Sequence, residues 1–168
     1  MQKMTFSAFF CFMLMFAYQV SAQVIAGNYA IKNVQPGMLL RVKDAHSENG
    51  TPMVSYNPEN WKCMNWDFKH VDGNTYQLQN LLTNKTFQTK GNARAGATFE
   101  EQPLNAGSVQ QQYVFEPAGV DVYMIKLKGT DLYITADKSG EVNSPITLSA
   151  KTNTENQYWA IYQQAPTM

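Results

Sequence analysis

Few side chains in this chain are of the types that make or break bonds, and their spacing gives them little to work with. His46 and His70 each sit in a polar, turn-like stretch, with no second His or Cys at metal-ligand spacing. Cys63 and His70 lie seven residues apart with no third group to orient them, a poor arrangement for a thiol nucleophile. No G-x-S-x-G and no glycine-rich phosphate cradle occurs. Glycoside cleavage needs two carboxyl groups facing one bond. Glu100-Glu101 is the only adjacent pair, and neighbours on a strand point to opposite faces. The sequence therefore predicts no catalytic residues, no metal site and no cofactor.

The elements that carry these side chains repeat. Tyr29, Tyr76 and Tyr123 stand 47 residues apart, and each opens a short alternating segment. Eleven residues after each comes an apolar residue: Leu40, Phe87 and Ile134. Each unit closes on an aromatic landmark: Trp66 with Phe68, Tyr113 with Phe115, Trp159 with Ile161. A fixed period of this length marks a repeat architecture. Within each unit, short apolar-polar alternations are separated by Gly, Asn, Asp, Pro and Ser, the signature of short strands and turns. Four strands are expected per unit. They are Asn28–Asn33, Leu39–Val42, Met53–Ser55 and Trp66–Lys69, then Tyr76–Asn80, Thr86–Thr89, Thr98–Glu100 and Tyr113–Glu116, then Tyr123–Leu127, Leu132–Ala136, Ile146–Ser149 and Trp159–Tyr162. A four-stranded unit cannot bury its own apolar face. Three units around one axis close a barrel and remove the exposed edges. The expected fold is all-β, a β-trefoil of three pseudo-repeats (about 27–73, 74–120 and 121–166).

The first 22 residues fall outside this pattern. Phe6 to Val20 is an almost unbroken apolar run after Lys3, and Val20-Ser21-Ala22 supplies small residues before Gln23. This reads as a secretory signal peptide over residues 1–22, too short to be a spanning helix, followed by a single domain over 23–168. The expected location is extracytoplasmic. Without Lys3 the 13 basic residues become 12 against 13 acidic ones, and no basic cluster exists. Nucleic acid and anionic membrane surfaces are therefore poor partners. Cys63 alone remains after the leader, so no internal disulfide can form, and its setting reads as a buried small hydrophobe.

The third unit contains Gly-Thr-Asp-Leu-Tyr-Ile-Thr-Ala-Asp, Asn-Ser-Pro-Ile-Thr-Leu and then Asn156-Gln157-Tyr158-Trp159. Gln157-Tyr158-Trp159 is an intact Q-x-W, Gln111-Gln112-Tyr113 a variant, and Met64-Asn65-Trp66 keeps the Trp and loses the Gln. Gly50-Thr51-Pro52-Met53-Val54 matches the G-T-P-V strand motif. In these residues the chain resembles the ricin B-chain-type (Q-x-W) β-trefoil lectins over essentially all of the segment after the leader.

The resemblance implies carbohydrate binding in shallow pockets, one per unit. A carboxylate and side-chain amides suit vicinal sugar hydroxyls, and an aromatic ring suits the apolar C–H face. The family pattern places an Asp on the second strand, an aromatic at the end of the third, and an Asn-Gln pair entering the Q-x-W. Here the Asp position holds Arg41, Gln88 and Thr135. The aromatic position holds Tyr56, Gln102 and Ser149, and the pair is Cys63-Met64, Gln110-Gln111 and Asn156-Gln157. The resemblance thus implies a third-unit site of Thr135, Asp137, Asn156 and Gln157, with a first-unit alternative around Asp44 and Tyr56. Asp44 and Asp137 open the long loops, where each also reads as a turn former. Tyr56 and Trp61 flank a polar loop and are the better ring platforms, whereas Trp66 and Trp159 read as core. The expected partner is a glycan or glycoconjugate. A secreted trefoil that binds protein through exposed loops, such as a protease inhibitor, is the alternative, and a trefoil used as a structural or adhesion piece is a third.

Overall fold

The alternating runs form twelve strands in the computed structural model, which describes residues 24–167. The first unit carries β1 (Gly27–Asn33), β2 (Leu39–Val42), β3 (Met53–Tyr56) and β4 (Asn65–Asp72). The second carries β5 (Thr75–Asn80), β6 (Thr86–Thr89), β7 (Phe99–Gln102) and β8 (Tyr113–Gly119). The third carries β9 (Val122–Leu127), β10 (Leu132–Thr135), β11 (Thr147–Ala150) and β12 (Tyr158–Tyr162). The leader expected over residues 1–22 lies outside the described residues.

Six strands close on themselves. β1 pairs with β4, β4 with β5, β5 with β8, β8 with β9, β9 with β12, and β12 returns to β1, all antiparallel. Closure leaves this barrel no free edge. The repeat is visible in the register. Tyr29 faces Trp66, Tyr76 faces Tyr113, and Tyr123 faces Trp159, each pair joining the first and fourth strands of one unit. The hairpins β2–β3, β6–β7 and β10–β11 cover one end of the barrel. Single bridges link them in a ring: Pro52 with Glu100, Thr98 with Thr147, and Val54 with Pro145. This is the β-trefoil.

β4 and β8 run past their expected ends, to Asp72 and Gly119. The reason is that the unit boundaries are themselves hairpin turns. β4 and β5 pair across the first boundary as far as Asp72 and Thr75, and the chain reverses at Gly73, whose φ of +45° suits a residue without a Cβ. Four three-residue 3-10 turns were not expected. Three of them, Lys62–Met64, Val109–Gln111 and Glu155–Gln157, lead into the fourth strand of each unit.

The core is built in threefold layers. Ile31, Leu78 and Ile125 form one set, Leu40, Phe87 and Ile134 another, and Trp66, Tyr113 and Trp159 a third, all fully buried or nearly so. A buried indole N–H or phenol O–H must find an acceptor, and the repeat supplies the same one each time. Trp66 Nε1 donates to Leu40 O at 3.3 Å, Tyr113 Oη to Phe87 O at 2.8 Å, and Trp159 Nε1 to Ile134 O at 3.0 Å. The Q-x-W aromatics are therefore core pins that lock the cap to the barrel. Tyr113 also stacks on Phe87 with ring centroids 4.7 Å apart. Of the repeat tyrosines, Tyr76 is buried and its hydroxyl accepts from Ile25 N at 3.0 Å, while Tyr29 and Tyr123 pack half-buried on the core.

Candidate functional site

Each unit brings the same three places together beside its cap hairpin: the end of the second strand, the end of the third, and the 3-10 turn entering the fourth. What occupies them differs from unit to unit.

In the third unit Gln157 is fully buried and every polar atom of its amide is engaged. Nε2 donates to Ser149 Oγ and Ala150 O, both at 2.8 Å, and lies 3.2 Å from Thr135 Oγ1. Oε1 accepts from Thr152 N at 2.8 Å. The Thr135 and Ser149 hydroxyls bond each other at 2.7 Å. Asn156 is buried too. Its Nδ2 donates to Ala136 O at 3.0 Å and its Oδ1 accepts from Thr154 Oγ1 at 2.6 Å. Asp137 is exposed, and its carboxylate accepts from Ser139 N at 2.8 Å, closing an Asx turn. The Ser139 hydroxyl, and with it that backbone bond, holds its pKa below the usual carboxylate value. Thr135, Asn156 and Gln157 thus come together as the sequence suggests, with their amides bonded into the scaffold. Asp137 stands apart, in its own turn.

The second unit follows the same scheme. Gln111 donates to Gln88 Oε1 at 3.0 Å and to Pro103 O at 3.1 Å, and accepts from Asn105 N at 2.8 Å. In both units the Q-x-W glutamine ties up the polar side chain on the second strand.

The first unit breaks that tie, because Met64 stands where the glutamine belongs and cannot bond to Arg41. Arg41 is only 6% exposed, and its Nε and Nη1 have no hydrogen-bond partner among the described residues. Two half-buried rings hold the guanidinium instead. Its carbon lies 4.0 Å from the centroid of Tyr56 and 5.6 Å from that of Trp61, within cation–π range. The two rings are 5.9 Å apart and tilted by 39°. Arg41, Ala45, Trp61, Cys63 and Leu82 line a cavity of about 250 Å³. This falls just below the ~300 Å³ at which small-molecule sites begin, the scale of a single ring. Leu82 comes from the turn after β5 and so belongs to the next unit. Cys63 is buried, which pushes its thiol pKa up, although the Arg41 charge beside it pulls the other way. Asp44 lies exposed in the 3-10 turn Lys43–Ala45 with φ +52°, beside the lining residue Ala45.

Tyr56 and its counterparts occupy the positions read from the sequence: Tyr56 opposite Leu39, Gln102 opposite Thr86, and Ser149 opposite Tyr133. Two features escaped that reading. Arg41 registers in sequence only as the loss of an Asp, although Met64 in the same unit signals that nothing ties residue 41 down. Leu82 carries no sequence signal toward this site. Among the described residues no group of three or more His, Cys, Asp or Glu side chains is placed to hold a metal ion.

Among solved structures, the chain superposes on the designed threefold-symmetric protein ThreeFoil with a TM-score of 0.78 at 16% identity, covering 82% of this chain and 99% of that one. The Rhizoctonia solani agglutinin gives 0.74 at 19% identity, covering 84% and 98%. The Macrolepiota procera ricin B-like lectin, solved with lactose, gives 0.70 at 16% identity, covering 84% and 99%. At these identities the likeness establishes the fold. No curated protein sequence matches the chain. The family described as ricin-type beta-trefoil lectin domain-like matches residues 17–102 and 62–140. That match spans well over half of the sequence, and with the Q-x-W aromatics pinned alike in all three units it means that the chain belongs to the ricin-type β-trefoil lectin domain-like family.

Proposed function

We propose that this protein is a secreted carbohydrate-binding module that acts without catalysis. One observation carries the reading. On a lectin-family scaffold, the first unit keeps a cavity bounded by a half-buried tryptophan, with a tyrosine beside it, and its second-strand polar side chain is not consumed by the fold. Rings in this position suit the C–H face of a pyranose, and N–H donors suit its oxygens. The second and third units spend the equivalent groups on internal bonds. Relatives of similar fold include an agglutinin and a lectin solved with lactose, which agrees with this reading. Export rests on the apolar N-terminal run and its small-residue end.

The test is a glycan array probed with the chain from Gln23 onward, with free sugar as competitor. Specific, competable retention is expected. It should survive the double substitution Asp137→Ala with Asn156→Ala, provided the variant stays folded, because these side chains serve their own turn and strand ends. Loss of retention in that folded variant returns the site to the third unit. A blank array together with stoichiometric inhibition of a protease supports the protein-binding alternative. Edman or mass-spectrometric detection of a mature N-terminus at Gln23 tests export.

A further inference from the structure

We propose that the first-unit cavity is specific for an acidic sugar, and that Arg41 receives the carboxylate of a hexuronate-type pyranose. This rests on the carbohydrate-binding reading and adds the ligand class.

The argument starts from an unpaired buried charge. A guanidinium is always protonated, and removing it from water without a counter-charge is costly. Arg41 forms none of the ion pairs found among the described residues, and its Nε and Nη1 lack acceptors. The two rings compensate its charge in part but accept no N–H bond in the plane of the group. Nε and Nη1 belong to different edges of the guanidinium, and each shares its edge with Nη2. Both atoms are covered by the surrounding side chains, so a carboxylate reaches an edge through a side-chain shift, and it then receives two parallel charge-assisted bonds, the geometry in which arginine and carboxylate match. The other lining residues, Ala45, Trp61, Cys63 and Leu82, offer apolar surface to the rest of a ring. Burial raises the pKa of the Cys63 thiol there, while the Arg41 charge and a hydrogen bond with Arg41 pull it the other way. Asp44 is exposed to solvent and is not part of the lining, so water screens its charge from an anion in the cavity.

The missing tie explains why only this unit is so equipped. Where a glutamine sits in the 3-10 turn, the second-strand side chain is spent, as Gln88 and Thr135 are. Met64 frees residue 41, and an arginine there converts a site for neutral hydroxyls into one for an anion.

Tryptophan emission provides the readout. Trp66 and Trp159 are buried in the core, whereas Trp61 is half-buried on the cavity wall. The protein is titrated with methyl glucuronide, methyl glucoside and the neutral methyl ester of the glucuronide. Glucuronide is expected to bind at least about tenfold more tightly than either neutral sugar, a modest return for charge-assisted hydrogen bonds. Trp61→Phe should abolish the emission change. Arg41→Gln should reduce glucuronide affinity to the level that the native protein shows for its neutral methyl ester. The comparison of acid with ester needs no variant, so it stands even if Arg41→Gln fails to fold. Equal affinity for acid and ester overturns the inference, as does acetate binding as tightly as the glucuronide. If neutral glycans bind the protein while the glucuronide gains nothing, the acidic-sugar inference alone fails. If no saccharide of either kind binds, here or on the array, the carbohydrate reading fails with it.

Discussion

Replacing Gln157 with methionine separates a scaffold role from a ligand role. Met64 occupies the equivalent turn in the first unit, fully buried, so the shape of a methionine is acceptable at this place in the fold. Gln157→Met therefore deletes hydrogen bonds with little change in packing. The Thr135 and Ser149 hydroxyls keep each other as partners, 2.7 Å apart. Thr152 N loses its 2.8 Å bond, and Ala150 O loses another of 2.8 Å and keeps the 3.2 Å bond from Ser149 Oγ. A buried group left unsatisfied costs ~1–3 kcal/mol. Both residues are exposed, so water recovers part of that, and the expected loss is about 2 kcal/mol. For a chain of this size that is a fall of roughly 4–8 °C in Tm. Urea unfolding followed by far-UV circular dichroism gives the midpoint and slope. The midpoint should fall at constant slope, and glycan retention should be unchanged once the variant is folded. A loss below about 0.5 kcal/mol, within the range of ordinary surface substitutions, would falsify the claim that this amide ties strand ends together. Lost retention at full stability would instead make it a ligand contact.

Three further outcomes follow from the same structure. Tyr113→Phe removes only the hydroxyl that donates to Phe87 O, so denaturant melts should show a loss of ~1–2 kcal/mol while the stacked rings stay in place. Glu101 is buried, with Oε1 bonded to Thr83 and Oε2 unpartnered, and desolvation raises its pKa above the usual 4.5. The folded state then holds this proton more tightly than the unfolded one, so its contribution to stability is full below 4.5 and falls as pH rises through the folded pKa. Glu101→Gln should gain on the native protein in chemical denaturation as pH goes from about 4 toward 7; a constant difference across that range would contradict the assignment. Cys63 is buried with its thiol pKa raised, so iodoacetamide should label it slowly in the native protein and rapidly in urea.

The fold was legible in the sequence because its core obeys the repeat. Tyr29, Tyr76 and Tyr123 pair with the fourth-strand aromatics of their own units, and residues 40, 87 and 134 supply the carbonyls that cap them. Packing of this kind depends on apolar identity at fixed spacing, which a sequence displays directly. The unforeseen 3-10 turns span three residues each, too few for a periodic signal. The site was only half legible. Tyr56 and Trp61 could be picked as ring platforms from their place beside a polar loop. Whether an amide is free or spent depends on partners distant in the chain: Gln157 reaches back 22 residues to Thr135. Residue identity alone therefore could not separate the spent amides of the third unit from the unspent guanidinium of the first. Leu82 enters the cavity only because β5 crosses the unit boundary to pair with β4.

The most direct measurement is glycan-array binding of the mature protein beside a Tyr56→Ala, Trp61→Ala variant shown by its melt to be folded. If the first unit is the working pocket of this lectin-family scaffold, the native protein binds a subset of glycans enriched in carboxylated sugars, free sugar competes it off, and the variant binds none of them. Equal retention of both proteins, or no retention of the native protein on any glycan, contradicts that account.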